Sequence, residues 1–307
     1  MLNYNDVERN AELAPVQFGY MPAGFYARKF LPVVEVTKSS GKYAKFDAAH
    51  MRALKSASEG SAKAPQVDIG LSWANYHCEE HPRSGFVPDF ISREIGNAAA
   101  LPVMQMIQAS LMIEEERALA AAMNTTGNFT NSNYNTPTTL WDAAGADPFA
   151  GAYGVKAALT YLYGVNGQRR RDIIMGVTPD VDLVLTDFAR ASIGNSGYDL
   201  PDEAAMARYF RVREYVVLDS AYNSAVPGQT DSLAGCWGTK QCWLVCVPEE
   251  RNLLVPSFGK TILDTAGSTV DQDVSKDPKG DFLIARNSYD QETISYNLAY
   301  WIKDCIS

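Results

Sequence analysis

The apolar and polar positions of this chain change their period along its length, and the changes mark its elements. Residues 1–32 keep no period for long: Pro15, Pro22 and Pro32 punctuate short apolar pieces such as VQFGY and AGFYARKFL. That pattern predicts an extended arm in need of a partner surface. VVEV from Val33 reads as a short strand; after a polar, basic stretch, Val67, Ile69, Leu71 and Trp73 alternate with Asp68, Gly70, Ser72 and Ala74. Strict alternation marks a half-buried strand, so residues 33–82 read as one long hairpin.

The pattern then turns helical. From Val103 to Met123 the apolar set Met106, Ile107, Leu111, Ile113, Leu119 and Met123 follows helical spacing, interrupted by Glu114, Glu115, Glu116 and Arg117, with Pro102 at the start or at a kink. Those positions span about 31 Å at 1.5 Å per residue, long for an isolated domain of this size. Beyond the polar loop NTTGNFTNSNYNTPTT, helix and strand signals alternate to the end. A helix is predicted from Asp147-Pro148 to Gly164 or Gly167, a strand at DIIMGV, a short helix after Thr178-Pro179 and a strand at REYVV. In CWLVCV residues of both parities are apolar, as in a strand buried on both faces. The last segment, from TILDTAG onward, is acidic and strand-rich, with a turn at Asp277 to Asp281.

Composition narrows the function classes. With 307 residues, 46% apolar and 21% charged, the chain is globular in make-up and has a real core. Its net charge of −9 excludes a uniformly basic nucleic-acid grip. No apolar run reaches the roughly 18–20 residues of a membrane helix, and the acidic N-terminus is unlike a signal peptide, so cytoplasmic synthesis is expected and the sequons at Asn124 and Asn128 are not read. Charge is segregated: between Arg28 and Lys63 there are eight Lys/Arg (28, 29, 38, 42, 45, 52, 55, 63) against three acids (35, 47, 59), a local +5. Such an arm suits an acidic neighbour.

Candidate chemistry is sparse. G-x-S-x-G, G-x-G-x-x-G and the phosphate-loop motif do not occur. HCEEH, His77 to His81, has histidines at i and i+4 but lacks the glutamate directly after the first, and on a strand the two rings stand about 13 Å apart, too far for one metal. Cys242 and Cys246 are separated equally on their strand, so with Cys78, Cys236 and Cys305 they read as reduced core thiols. No catalytic, cofactor or metal residue is assigned.

The succession WDAAGADPF before a helix, DIIMGVTPDVDLVL, VREYVVLDSAYNSA, a glycine-flanked WG, an apolar strand ending in VP, and PSFGKT resembles the major capsid proteins of tailed phages, the Hong Kong ninety-seven-type fold shared with encapsulin shells. The resemblance covers roughly residues 60–307. It implies an α+β fold with an N-terminal arm (1–32), an extended loop (33–82), a peripheral domain carrying a long spine helix (83–139 and 258–295) and an axial domain (140–257 and 296–307). It also implies a structural role, not an enzymatic one: self-assembly through pentamers and hexamers into an icosahedral virion shell around double-stranded DNA, formed in the host cytoplasm. Separate scaffold, portal and decoration proteins are expected partners, with no membrane and no cofactor. An encapsulin-type compartment and a two-domain α+β enzyme of unknown chemistry are the alternatives.

Under that reading the candidates are contacts between subunits. Arg28, Lys38, Lys42, Lys45, Arg52 and Lys55 belong to the basic arm and hairpin; some family members cross-link a lysine of this loop, although nothing here identifies an acceptor. Glu114, Glu115 and Glu116 point three ways around a helix, toward lattice or solvent. Arg169, Arg170 and Arg171 form a solvated turn suited to a salt bridge between subunits. An arm and hairpin of about 80 residues cost about 1–2 kcal/mol per residue to order, which neighbours must offset.

Overall fold

A computed structural model describes residues 8–9, 24–46, 71–91, 100–129, 133–165, 170–193, 201–226, 228–250, 252–276 and 279–307. In chain order its elements are β1 (Glu8–Arg9), α1 (Ala27–Phe30), β2 (Val33–Val36), β3 (Ser40–Phe46), β4 (Leu71–His77), β5 (Glu79–Pro88) and α2 (Ala100–Met123). There follow β6 (Tyr134–Asn135), α3 (Val155–Thr160), β7 (Ile173–Val177), α4 (Pro179–Ile193), α5 (Glu203–Phe210), β8 (Glu214–Val217), β9 (Ala221–Asn223) and β10 (Leu233–Gly235). The last strands are β11 (Cys242–Cys246), β12 (Gly259–Lys276), β13 (Lys279–Thr293) and β14 (Ala299–Ile302).

Two sheets organise these elements. The first runs β1-β12-β13-β5, with β2 parallel to β12. The second runs β6-β14-β11-β7-β8, and β7 and β8 are parallel. Strand β11 has all five residues buried at its centre, as a run apolar in both parities requires. One of its faces meets α3, α4 and α5 through Val181, Leu185, Met206 and Phe210.

The long helix α2 joins the two sheets. Its first half lays Met104, Ile107 and Leu111 on Val87, Val270, Leu283 and Ala285 of the first sheet. Gly85 permits that approach, because a Cβ there would lie 2.5 Å from Val103 Cγ1. The second half presents Leu119, Ala120 and Met123 to Trp237, Trp243, Val245 and Trp301 on the other face of the second sheet, together with Phe30 and Leu31. At 24 residues the helix is about 36 Å long, and Pro102 sits in its first turn, where a missing N–H costs nothing.

Several expectations are corrected. VVEV does not belong to the hairpin: Val33 to Val36 pair with Thr261 to Asp264, which buries Val34 on the first sheet. The hairpin partner of β4 is the polar strand β3, in the register Ser40↔His77 to Phe46↔Leu71. The alternation of β4 is also turned over. Tyr76 is buried with Tyr43 over Ile262 and Ile294, whereas Trp73 is 57% exposed. Asp147 does not start a helix; its carboxylate accepts from the N–H groups of Phe149 and Ala150, which closes a turn, and α3 begins at Val155. The helix after Thr178 is 15 residues long, not short, with Pro179 at its first position. Of the turn expected at Asp277 to Asp281, Asp277 and Pro278 lie outside the described residues, and Lys279 opens β13.

Candidate assembly surfaces and the carboxylate clasp

The glutamates of α2 have three different environments. On the helix the buried positions are Gln108, Leu111, Met112, Glu115, Glu116, Leu119, Ala120 and Met123, a continuous stripe at i, i+3 and i+4. Glu115 and Glu116 therefore lie on the inward stripe, and their relative exposures of 1% and 0% rule them out as lattice contacts. Only Glu114 reaches the surface, where it pairs with Arg83 at 2.6 Å and faces His81 Nδ1 at 3.5 Å.

The two buried carboxylates hold the segment before β2. Arg28 donates through Nε and Nη2 to both oxygens of Glu115, at 2.8 and 2.6 Å, so it too is engaged inside the subunit. Glu116 Oε2 accepts from the backbone N–H of Tyr26 and Ala27 at 2.9 and 2.6 Å, at the start of α1. Its Oε1 accepts from Ser220 Oγ at 3.1 Å and from the indole N–H of Trp237. Burial pushes the Glu116 carboxyl up, while the donors from Trp237, Ala27, Tyr26 and Ser220 pull it down; burial prevails. For Arg28 the balance is opposite: burial alone would lower it, but pairing with Glu115 raises it. Tyr26 OH donates to Asp219 at 2.7 Å, and Phe30 packs edge-on against Trp237 at 5.5 Å. This clasp ties the arm's exit, the long helix and the second sheet together.

The remaining candidates occupy the periphery. Lys38 and Lys42 are exposed on the hairpin, and Lys45 lies over the Tyr43 ring at 5.5 Å. Tyr43 in turn donates to Glu292 at 2.8 Å. Arg52, Lys55 and Arg169 lie outside the described residues; Arg170 and Arg171 are exposed in a 3-10 turn before β7. His77, Glu79 and His81 line a groove of about 360 Å³ beside Ala118, Leu119 and Tyr289. His81 stacks on Tyr289 at 4.3 Å, and strand β5 continues through Pro82, which an edge strand tolerates. Among the described residues no three ligating side chains converge on a metal position, and all five cysteines are free thiols.

Sequence reasoning missed Tyr26, Ser220 and Trp237. The spacing 111/112, 115/116, 119/120, 123 was the available signal for the glutamates; nothing local marks their partners, which lie 87 to 121 residues away.

Neither a protein-family model nor a curated protein sequence matches this chain. Solved structures do. A phage-related protein from Bordetella bronchiseptica RB50 superposes with a TM-score of 0.77 at 15% identity, covering 97% of this chain and 98% of that one. The capsid of the cyanophage P-SCSP1u gives 0.56 at 10% identity, with coverages of 91% and 87%. The chain has the phage capsid fold. The capsid of a native GTA particle is a further member of the set, with a TM-score of 0.54 at 11% identity over 93% and 91% of the two chains. The clasp sits where the segment before β2, the long helix α2 and the loops flanking the second sheet meet.

Proposed function

We propose that this chain is a major capsid protein that assembles with copies of itself, through pentamers and hexamers, into an icosahedral shell enclosing the double-stranded DNA of a tailed phage. The observation that carries the reading is the agreement of fold across nearly the whole chain with a phage-related protein and with two capsid structures. Trp73 adds to it. An indole 57% exposed on a hairpin whose other face is anchored by Tyr43 and Tyr76 is apolar surface left for another molecule.

In this reading residues 1–32 are the arm and 33–82 contain the extended loop, with Val33–Val36 joined to the first sheet; 83–139 with 258–295 form the peripheral domain, and 140–257 with 296–307 the axial domain. Lys38, Lys42 and Lys45 lie on the acidic surface of the adjoining subunit. The role is structural, with no catalytic step. Many modest contacts repeated by symmetry close the shell without one strong site. Scaffold, portal and decoration proteins are separate chains, and assembly takes place in the host cytoplasm.

Negative-stain microscopy and size-exclusion chromatography of the chain expressed alone and with the other head proteins of its source test the proposal. Closed particles carrying nuclease-protected double-stranded DNA are expected. A monomer or dimer under every condition overturns the shell, and particles filled with a protein cargo instead of DNA turn the reading toward a compartment.

A further inference from the structure

We propose that the arginine-rich end of the second sheet is a binding site for the phosphodiester backbone of nucleic acid. Strands β7 and β8 are parallel neighbours in the register Ile174↔Glu214, so the turns that lead into them lie side by side, about 4.8 Å apart in backbone spacing. Arg170 and Arg171 occupy the 3-10 turn before β7. Arg211 caps α5 in the left-handed region at φ 58°, just before β8, with Arg208 in the last turn of that helix. Arg213 N donates to Ile173 O at 2.8 Å, which bonds the start of one strand to the turn before the other.

Tyr163 fixes the spacing further. Its hydroxyl donates to Arg211 O at 3.0 Å, and the charges of Arg170 and Arg211 both act on its phenol, partly opposing the upward push of burial.

These arginines differ from three others, although Arg117, over the Tyr222 ring, also has no carboxylate partner among the described residues. Arg28, Arg83 and Arg286 each meet a carboxylate. Arg170, Arg171, Arg208 and Arg211 are exposed and form no ion pair among the described residues. Nearby carboxylates include Asp172, half-buried in the turn itself, Glu214, engaged by Lys29 at 2.6 Å, and the exposed Glu249 and Glu250 just beyond Val247, whose N–H donates to Asp172 O. The charges of Arg170 and Arg211, both felt at Tyr163, repel one another unless an anion sits between them.

The occupant follows from what surrounds them. A protein interface places exposed apolar anchors inside its charged rim. None of the large exposed apolar residues described lies in segments 161–165, 170–177 or 203–217, which build this patch. An all-polar row of guanidinium forks suits phosphate oxygens, which each fork can grip in two places. The net charge of −9 does not forbid it, because at 0.1 M salt charges beyond about 10 Å are largely screened. Binding by one subunit is weak and sequence-independent, and an array of copies multiplies it. The site rests on the fold alone; the shell reading only says where nucleic acid is met.

The test compares the wild-type subunit with Arg170→Gln/Arg171→Gln/Arg211→Gln and with the corresponding triple Arg→Lys form. Fluorescence anisotropy with a labelled 30-base-pair DNA duplex of arbitrary sequence, and with an RNA duplex, is read from 50 to 200 mM salt. Three or four neutralised phosphates give a log–log slope near −3, a loss of roughly 60-fold over that range. The Gln variant is expected to bind at least tenfold more weakly at 50 mM with a slope flattened by about 2, and the Lys variant to regain most of the slope. Equal binding by wild type and the Gln variant overturns the site. So does a Gln variant that keeps its DNA affinity and fails only to form shells, which would assign the patch to a second copy. Loss of DNA binding with shells still formed supports the site and leaves the shell reading intact; DNA binding without shells under any condition supports the site and sinks the shell reading alone.

Discussion

Strands β11 and β4 are both apolar in sequence and meet opposite fates. In β11 Trp243 is fully enclosed, 5.4 Å from Trp237, and every residue of the strand is buried between two layers of the same subunit. In β4 the apolar alternation ends with Trp73 in solvent while Tyr76, on the phase that reads as polar, points into the subunit. Apolar pattern thus reports that a side chain needs cover without saying which molecule supplies it. In this chain the two answers coexist.

The comparison breaks first at β11. Replacing Trp243→Ala should cost about 3–5 kcal/mol of subunit stability, measured by guanidinium unfolding, since a large void opens between α2 and the second sheet. A loss below 1 kcal/mol would mean that the layer closes up around the gap. Glu116→Ala should cost about 3 kcal/mol, because the indole of Trp237 and two backbone N–H groups lose a buried acceptor. Glu114→Ala, two residues earlier, removes only a half-exposed pair with Arg83 and should cost under 1 kcal/mol. Equal losses for the two would show that the clasp adds nothing.

Alkaline pH examines the same core by a different route. Burial pushes the thiol of Cys246 up to about 12 and that of Cys78 up to about 11, and raises Cys242 and Cys305 as well. Unfolded thiols release their protons near pH 9, so above that pH the folded state holds more protons and stability falls, by up to about 1.4 kcal/mol per pH unit for each fully buried thiol. Lys260 acts in the opposite sense. Buried and donating to the carbonyls of Asn252 and Val255, it is lowered to about 8, which adds stability as pH rises from 8 toward 10.5. Denaturation midpoints should therefore drop above pH 9, less steeply in Cys242→Ala and more steeply in Lys260→Met. A flat profile in the wild type would contradict the buried thiols.

Trp73→Ser should change subunit stability least, by under 0.5 kcal/mol, yet reduce or abolish closed particles in the microscope. Deleting residues 39–62 also removes β3 and its buried Tyr43, so it should cost more stability than Trp73→Ser, but the folded subunit should likewise no longer close shells. Normal assembly of both variants would remove the hairpin from the interface proposed for it.

The amino-acid sequence alone determined the elements whose pattern is local. The helix from 103 to 123, the strand CWLVCV and the strand DIIMGV are each readable because burial on one stripe or on both faces leaves a period in consecutive residues. The capsid fold was legible from the succession of such phrases. Tertiary structure decided what depends on residues far apart in the chain: that VVEV leaves the hairpin for β12, that Trp73 turns outward, and that Glu115 and Glu116 turn inward. The reason is the reach of the interactions. A glutamate reads as solvated until Arg28, Tyr26, Ser220 and Trp237 are brought to it across some ninety residues on one side and more than a hundred on the other, and only the packed fold supplies those donors.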